Sequence, residues 1–174
     1  MTDDTVDVFV GIGSNIEPLR YVPQAIEYLA ASFDALRVSN VYRCPAVGFD
    51  GNAFVNLVVG MTSGDDVYGL QLRLREIEAA CGRDRSVKRA SRSMDLDLLL
   101  YGDAIVDDEQ LHLPRADILE YAFVLKPLAE LAPRRRHPVD GRTYADLWAS
   151  FDADSQPLTP IEISVPAAVR RPPE

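Results

Sequence analysis

The chain has 174 residues, 18 Lys plus Arg against 27 Asp plus Glu, and a formal charge of −9. At this length it reads as one domain burying roughly 70% of its unfolded surface, with no need of a disulfide or metal to hold a core. With 47% hydrophobic and 26% charged residues and no run of apolar residues long enough to span a bilayer, the composition excludes a disordered chain and a membrane helix. The acidic start, Met1-Thr2-Asp3-Asp4, is unlike a secretory leader, so a cytoplasmic location is expected. Cys44 and Cys81 are too few for a disulfide framework or a zinc site and read as buried thiols. An acidic chain is repelled by nucleic acid on average. Its basic residues are nevertheless concentrated: Arg83, Arg85, Lys88, Arg89 and Arg92 against Asp84 alone make a local +4.

The apolar, β-branched run from Val6 to Ile12, closed by Gly11, Gly13, Ser14 and Asn15, predicts a buried strand ending in a tight turn. Leu19, Val22, Ile26 and Leu29 recur at helical spacing between Pro18 and about Ser32, with Pro23 early enough to leave the helix intact. Strands are predicted over 36–42 and 54–61, antiparallel to each other across a loop holding Pro45, Gly48, Asp50, Gly51 and Asn52. Asp65 or Asp66 caps a helix whose apolar stripe is Val67, Leu70, Leu74, Ile77 and Cys81, with Gly82 at its C′ position and Arg73, Arg75, Glu76 and Glu78 on the other face. Residues 83–93 lack periodicity and read as a loop feeding a strand over 94–101. After a Gly102-Asp103 turn come a short strand at 104–106, the segment 111–114, a helix of one or two turns, the apolar Phe123-Val124-Leu125, a short helix over 127–132 and an amphipathic helix over 143–151. Five of the twelve prolines fall in 152–174, which reads as an extended tail with an edge strand at 161–165, beyond a single domain over 1–151. This element order points to an α+β domain with helices on a mostly antiparallel sheet.

Asp95 and Asp97 carry the sharpest chemical signal. Carboxylates two apart on a strand point the same way, about 6–7 Å from each other at ~3.3 Å rise per residue. That spacing suits one or two hard divalent cations held between them and a polyphosphate; a strand with one solvated face also explains it. The arginine-rich loop just before favours the first reading, because carboxylates for metal and arginine forks for phosphate oxygens are what phosphoryl transfer needs. Taken alone, the loop also fits a solvated surface or a nucleic-acid patch, the latter opposed by its lack of aromatics. No P-loop and no Gly-x-Ser-x-Gly elbow occurs, and Gly11-Ile12-Gly13 lacks the third glycine of a dinucleotide fingerprint. His137, after Arg134-Arg135-Arg136, reads as surface structure. Asn56, inside an apolar strand, either ties strand to loop or reads the polar edge of a flat heterocycle.

The blocks Phe9-Val10-Gly11-Ile12-Gly13-Ser14-Asn15, Val41-Tyr42-Arg43-Cys44-Pro45, Phe54-Val55-Asn56, Glu76-Ile77-Glu78 with Gly82-Arg83-Asp84-Arg85, and Arg92-Ser93-Met94-Asp95-Leu96-Asp97 follow one another in an order that resembles the 6-hydroxymethyl-7,8-dihydropterin pyrophosphokinases of folate biosynthesis. Leu113-Pro114, Phe123-Val124-Leu125 and Glu130-Leu131-Ala132-Pro133 continue the pattern, so the resemblance covers about residues 6–150. It implies a ferredoxin-like α+β fold and transfer of the β,γ-diphosphate of ATP to the pterin hydroxymethyl oxygen, with AMP released. It implies two Mg²⁺ on Asp95 and Asp97, and Arg83, Arg85 and Arg92 on the triphosphate. It places Glu78, Leu98, His112 and Arg115 with ATP, and the pterin among Cys44, Pro45, Val47, Phe54, Asn56 and Phe123. The partners implied are the two small molecules, with neither nucleic acid nor membrane, in a monomer or homodimer.

The chain departs from the family pattern at three places. Arg89-Ala90-Ser91-Arg92 stands where the family has Trp-Gly-Pro-Arg, in a loop one residue shorter. Arg115 replaces a histidine, and Tyr121 replaces an arginine. These changes to lid and phosphate clamp leave open a second reading, a slow or inactive pterin- or nucleotide-binding paralogue or accessory protein.

Overall fold

The computed structural model describes residues 4–46, 51–84, 92–166, 169 and 171–172. In chain order its elements are β1 (Val6–Ser14), α1 (Pro18–Ser32), β2 (Asp34–Val38), β3 (Val41–Cys44), β4 (Phe54–Ser63), α2 (Val67–Ala80), β5 (Asp95–Tyr101), β6 (Val106–Asp107), β7 (His112–Leu113), α3 (Asp117–Glu120), α4 (Ala122–Leu131), α5 (Tyr144–Ala149), a 3₁₀ turn (Ala153–Ser155) and β8 (Thr159–Ile161). β1 lies between β4 and β5, antiparallel to both; β2 and β3 run along the far side of β4, and β8 pairs outside β3. With β2 and β3 counted as one broken strand, this is the β-α-β-β-α-β order of a ferredoxin-like sheet, so the predicted α+β class holds.

Alternation along β1 divides the interior in two. Val8, Val10 and Ile12 face α1 and α2, where they meet Ile26, Leu29, Leu70 and Leu74. Phe9 faces the opposite way and joins Leu99, Leu100, Val124, Leu125 and Tyr144 under α3, α4 and α5. Each such side chain, fully buried, contributes about 1.5–3 kcal/mol. The β1–β5 register shifts between Phe9 and Val10, opposite Leu100 and Leu98. This bulge lets Leu98 face the first core while Leu99 and Leu100 both face the second.

Several sequence expectations change here. Gly11 and Gly13 lie inside β1, not in a turn. A Cβ on Gly13 would sit 3.0 Å from Asn56 Oδ1, so that glycine serves a close approach across the sheet. The strand expected over 36–42 breaks at Ser39-Asn40. There Ser39 N–H donates to the Val58 carbonyl (3.0 Å), its Oγ accepts from Val58 N–H (2.9 Å), and the pairing with β4 slips by one residue. Leu19, placed in the buried stripe of α1, is exposed, and Ala25 takes its place. α4 runs as one helix through Pro127, because burial of Val124, Leu125, Leu128 and Ala129 offsets the lost hydrogen bond. His137 is buried, and its Nδ1 accepts from Val139 and Asp140 N–H (3.2 and 3.0 Å). Cys44 and Cys81 are buried thiols as expected.

Beyond residue 151, Gln156 caps α4, with Oε1 accepting from Ala122 N–H (2.9 Å) and Nε2 donating to the Glu120 carbonyl (3.0 Å). Ile161, Ile163, Val165 and Val169 pack on the first core. Among the described residues no helix is long and apolar enough to cross a membrane.

Candidate active site

On the second face of the sheet the large side chains stop at Phe9 and Leu99. Beyond them the same face carries Gly11 and Gly13 on β1, Asn56 on β4, and Asp95 and Asp97 on β5. Gly11 pairs directly with Asp97, and Gly13 with Asp95 on one side and Asn56 on the other. Glycine opposite each carboxylate leaves space above the sheet, which α4 does not fill. The result is a cleft of about 320 Å³, bounded by Cys44, Pro45, Phe54, Asn56, Tyr121 and Phe123 and floored by the β1 glycines. Tyr121 and Phe123 stack with centroids 5.0 Å apart. Asn56 is 7% exposed and donates from Nδ2 to Cys44 Sγ at 2.9 Å, while burial pushes that thiol up to about 11. An amide beside flat aromatic walls suits the polar edge of a heterocycle.

A second cavity of about 260 Å³ opens on the other side of the aspartates, between α2 and β5. It is lined by Gln71, Leu74, Arg75, Arg83, Leu96 and Leu98. Arg92, Asp95, Asp97 and Arg115 line both cavities. Arg92 meets Asp95 at 2.9 Å, and Arg115 lies 3.7 Å from Asp97 and 3.2 Å from Asp117. The Nε atoms of Arg83 and Arg92 are buried and without a hydrogen-bond partner among the described residues. Buried guanidinium N–H groups left unsatisfied are costly, and the rest of each guanidinium borders a cavity where an oxyanion could be held. Burial, then the Asp95 charge, pushes the Asp97 carboxyl up to about 7, with Asp117 and Glu78 adding to the effect and Arg115 opposing it.

The structure thus brings together Cys44, Pro45, Phe54, Asn56, Phe123, Arg83, Arg92, Asp95, Asp97, Leu98 and Arg115 around two joined cavities. Val47 and Arg85 lie outside the described residues, as do Arg89, Ala90 and Ser91. Two expected nucleotide contacts are not brought there. Glu78 is fully buried within α2, where Oε2 accepts from Leu96 N–H (2.9 Å) and its carbonyl from Arg83 N–H (3.0 Å), so it braces β5 and the start of the arginine loop. The sequence puts it on the polar face because a carboxylate in an amphipathic pattern reads as solvated. His112 is exposed on β7, paired with Asp107 at 2.6 Å, and lines neither cavity. One residue beside the cavities escapes the sequence reading: Asn15, read as turn chemistry, is buried and holds the Arg92 backbone. Its N–H donates to the Arg92 carbonyl (3.0 Å), its Oδ1 accepts from Arg92 N–H (2.8 Å), and its Nδ2 donates to the Asn52 carbonyl (3.2 Å).

Among the described residues no group of three or more His, Cys, Asp or Glu forms a metal cage. Two partly exposed carboxylates remain, the donor set that suits Mg²⁺ when a substrate phosphate and water complete its octahedron.

The model of the 7,8-dihydro-6-hydroxymethylpterin-pyrophosphokinase family matches residues 9–133. The chain is 38% identical over 149 residues to the 2-amino-4-hydroxy-6-hydroxymethyldihydropteridine pyrophosphokinase of Methylorubrum extorquens, covering 83% of this chain and 92% of that protein. It is 31% identical over 134 residues to the protein of the same name from Aquifex aeolicus, covering 76% and 84%. It is also 31% identical over 161 residues to the folic acid synthesis protein fol1 of Pneumocystis carinii, covering 90% of this chain but only 22% of that longer protein. A crystal structure of an HPPK-DHPS in complex with substrates shares the fold, with a TM-score of 0.63 at 11% identity over 86% of this chain and 44% of that one. The chain therefore spans less than half the length of these last two.

Proposed function

This chain belongs to the 7,8-dihydro-6-hydroxymethylpterin-pyrophosphokinase family, and on that premise we propose that it transfers the β,γ-diphosphate of ATP to the hydroxymethyl oxygen of 6-hydroxymethyl-7,8-dihydropterin, releasing AMP, in folate biosynthesis. The observation that carries the reading is the meeting of an aromatic cleft and an arginine-lined cavity at one pair of carboxylates.

The pterin lies in the first cavity between Phe54 and Phe123, with Asn56 bonding its polar edge. ATP lies in the second, its base side toward Leu74 and Leu98 and its phosphates toward Arg83, Arg92 and Arg115. Asp95 and Asp97 would hold two Mg²⁺, which supply charge neutralisation of the transferred group and orient the attacking oxygen. The chain's own contribution is positioning. Asn15 fixes the Arg92 backbone, Glu78 fixes β5 beneath the carboxylates, and the arginines take up the charge that spreads over the diphosphate. Arg115 takes the place of the family's histidine contact, and Tyr121 backs the Phe123 wall where the family has an arginine. The reaction is a cytoplasmic one, carried out by a monomer or homodimer whose partners are small molecules. A paralogue that binds without turnover gains no support from the site.

Purified protein given ATP, Mg²⁺ and 6-hydroxymethyl-7,8-dihydropterin forms AMP and pterin diphosphate in equal amounts, and EDTA stops it. No AMP under conditions where the Methylorubrum enzyme produces it would overturn the assignment.

A further inference from the structure

Each carboxylate of the pair already has a cation beside it: Arg92 on Asp95 at 2.9 Å and Arg115 near Asp97 at 3.7 Å. The two arginines share a design. Their backbones are pinned, Arg92 by Asn15 on both its N–H and its carbonyl, and Arg115 through its N–H to the Leu99 carbonyl at 3.0 Å. Their head groups are held less firmly: Arg92 Nε lacks a partner among the described residues, and Arg115 divides its guanidinium between Asp97 and Asp117. Both head groups border both cavities. A fixed backbone with a loosely held charged end is suited to exchanging one partner for another.

Resting on the metal and nucleotide reading above, we propose that Arg92 and Arg115 are exchangeable counter-ions of the aspartate pair, standing in for the divalent cations in the free chain and passing to the phosphates when metal and nucleotide bind together. Charge balance supports it. Among the paired groups, Asp95, Asp97 and Asp117, all ionised, against Arg92 and Arg115 leave one negative charge. Two divalent cations alone would turn this into three positive charges, and a triphosphate of about four negative charges restores the starting balance. Either ligand alone leaves the site heavily charged, and metal alone must also displace Arg92 from Asp95 and leave Arg115 with Asp117 alone. Metal and nucleotide therefore bind with positive coupling, and the arginines are its source.

The test uses Mn²⁺ as the probe, followed by electron paramagnetic resonance with and without α,β-methylene-ATP, which cannot transfer its diphosphate. In the unsubstituted protein the analogue tightens Mn²⁺ at least ~10-fold, within the usual range of such couplings. Arg115→Met and Arg92→Met each tighten Mn²⁺ alone roughly 3- to 10-fold and cut the effect of the analogue at least ~5-fold, while Arg115→Lys, which keeps the charge, stays near the parent. Arg75→Met is the control for general charge, since Arg75 lines the same cavity but pairs with neither aspartate. Equal tightening by Arg75→Met, or unchanged Mn²⁺ affinity in both arginine variants, overturns the exchange and leaves the metal site standing. Absence of Mn²⁺ binding even with the analogue overturns the metal reading along with it.

Discussion

The two cavities that share Asp95 and Asp97 are built from different materials. The aromatic cleft is walled by strand and helix residues whose positions the sheet and α4 dictate: Gly13 and Asn56 are cross-strand partners, and Phe123 sits in the first turn of a helix capped by Gln156. The cationic cavity is walled largely by the reach of long side chains, Arg75, Arg83, Arg92 and Arg115, two of which keep a buried Nε unsatisfied. On the proposed reading, shape is fixed where a flat ring would be told from its analogues, and charge is left adjustable where four phosphate charges would arrive and AMP would leave. The carboxylates are the hinge between the two, and substitutions on either side should separate their contributions.

The largest effect belongs to that hinge. Asp95→Asn removes the charge proposed to hold metal and breaks the ion pair with Arg92, and AMP release should fall at least ~10³-fold, as for other electrostatic groups aimed at a developing charge. Residual turnover near the parent rate would mean that the pair is only a solvated strand face. Next comes the cationic side: Arg92→Ala should lower kcat ~30- to 1000-fold, while pterin affinity in the presence of an ATP analogue changes by less than ~3-fold. Equal losses in both would show that the cavities are not separable.

On the aromatic side, Gly13→Ala places a methyl 3.0 Å from Asn56 Oδ1 and pushes that amide from its place. Pterin affinity should drop about tenfold, or ~1.4 kcal/mol, with ATP affinity unchanged, as calorimetry would report. Gly11→Ala serves as the milder comparison, since its methyl would make ordinary contact with Leu99 at 3.6 Å.

How much of this the sequence discloses follows the same division. Strands β1, β4 and β5 are legible because their apolar, β-branched runs have few other uses, and the aspartate pair stands out against them. What escapes is whatever depends on a partner distant in sequence. Glu78 and His137 look solvated until Leu96 N–H and the 139–140 backbone are seen to bond them. Asn15 looks like a turn until Arg92, 77 residues away, closes on it. Pro127 reads as the start of a short helix because local propensity knows nothing of the burial that carries α4 through it from Ala122. The break between β2 and β3 hides in a Ser-Asn step whose hydroxyl replaces a ladder bond. The two glycines of β1 mislead most, since the residues that make a turn also make an empty floor. The resemblance gathers more of the cavity-lining residues than periodicity does, yet it also expects Glu78 and His112 at the nucleotide, whereas Glu78 is buried against β5 and His112 lines neither cavity.

The smallest expected effect sharpens the hinge from the side of stability. Burial, then the charge of Asp95, raises the Asp97 carboxyl from its ordinary 3.8 to about 7. Between those values the folded chain holds a proton that the unfolded chain has released, so this group makes stability decline as pH rises through the window, with the full penalty reached above pH 7. Asp97→Asn removes the titration while keeping the shape. The variant should match the parent near pH 4 and be more stable at pH 8 by on the order of 1 kcal/mol, the side chain's partial exposure and Arg115 limiting the gain. For a chain of this length that is a Tm higher by ~2–4 °C in EDTA. Mg²⁺ with α,β-methylene-ATP should reverse the order, because only the parent carboxylate then has a cation to hold. A Tm difference that is the same at pH 4 and pH 8 would mean that Asp97 is not the strained member of the pair, and the cost of keeping two carboxylates together would have to be sought at Asp95.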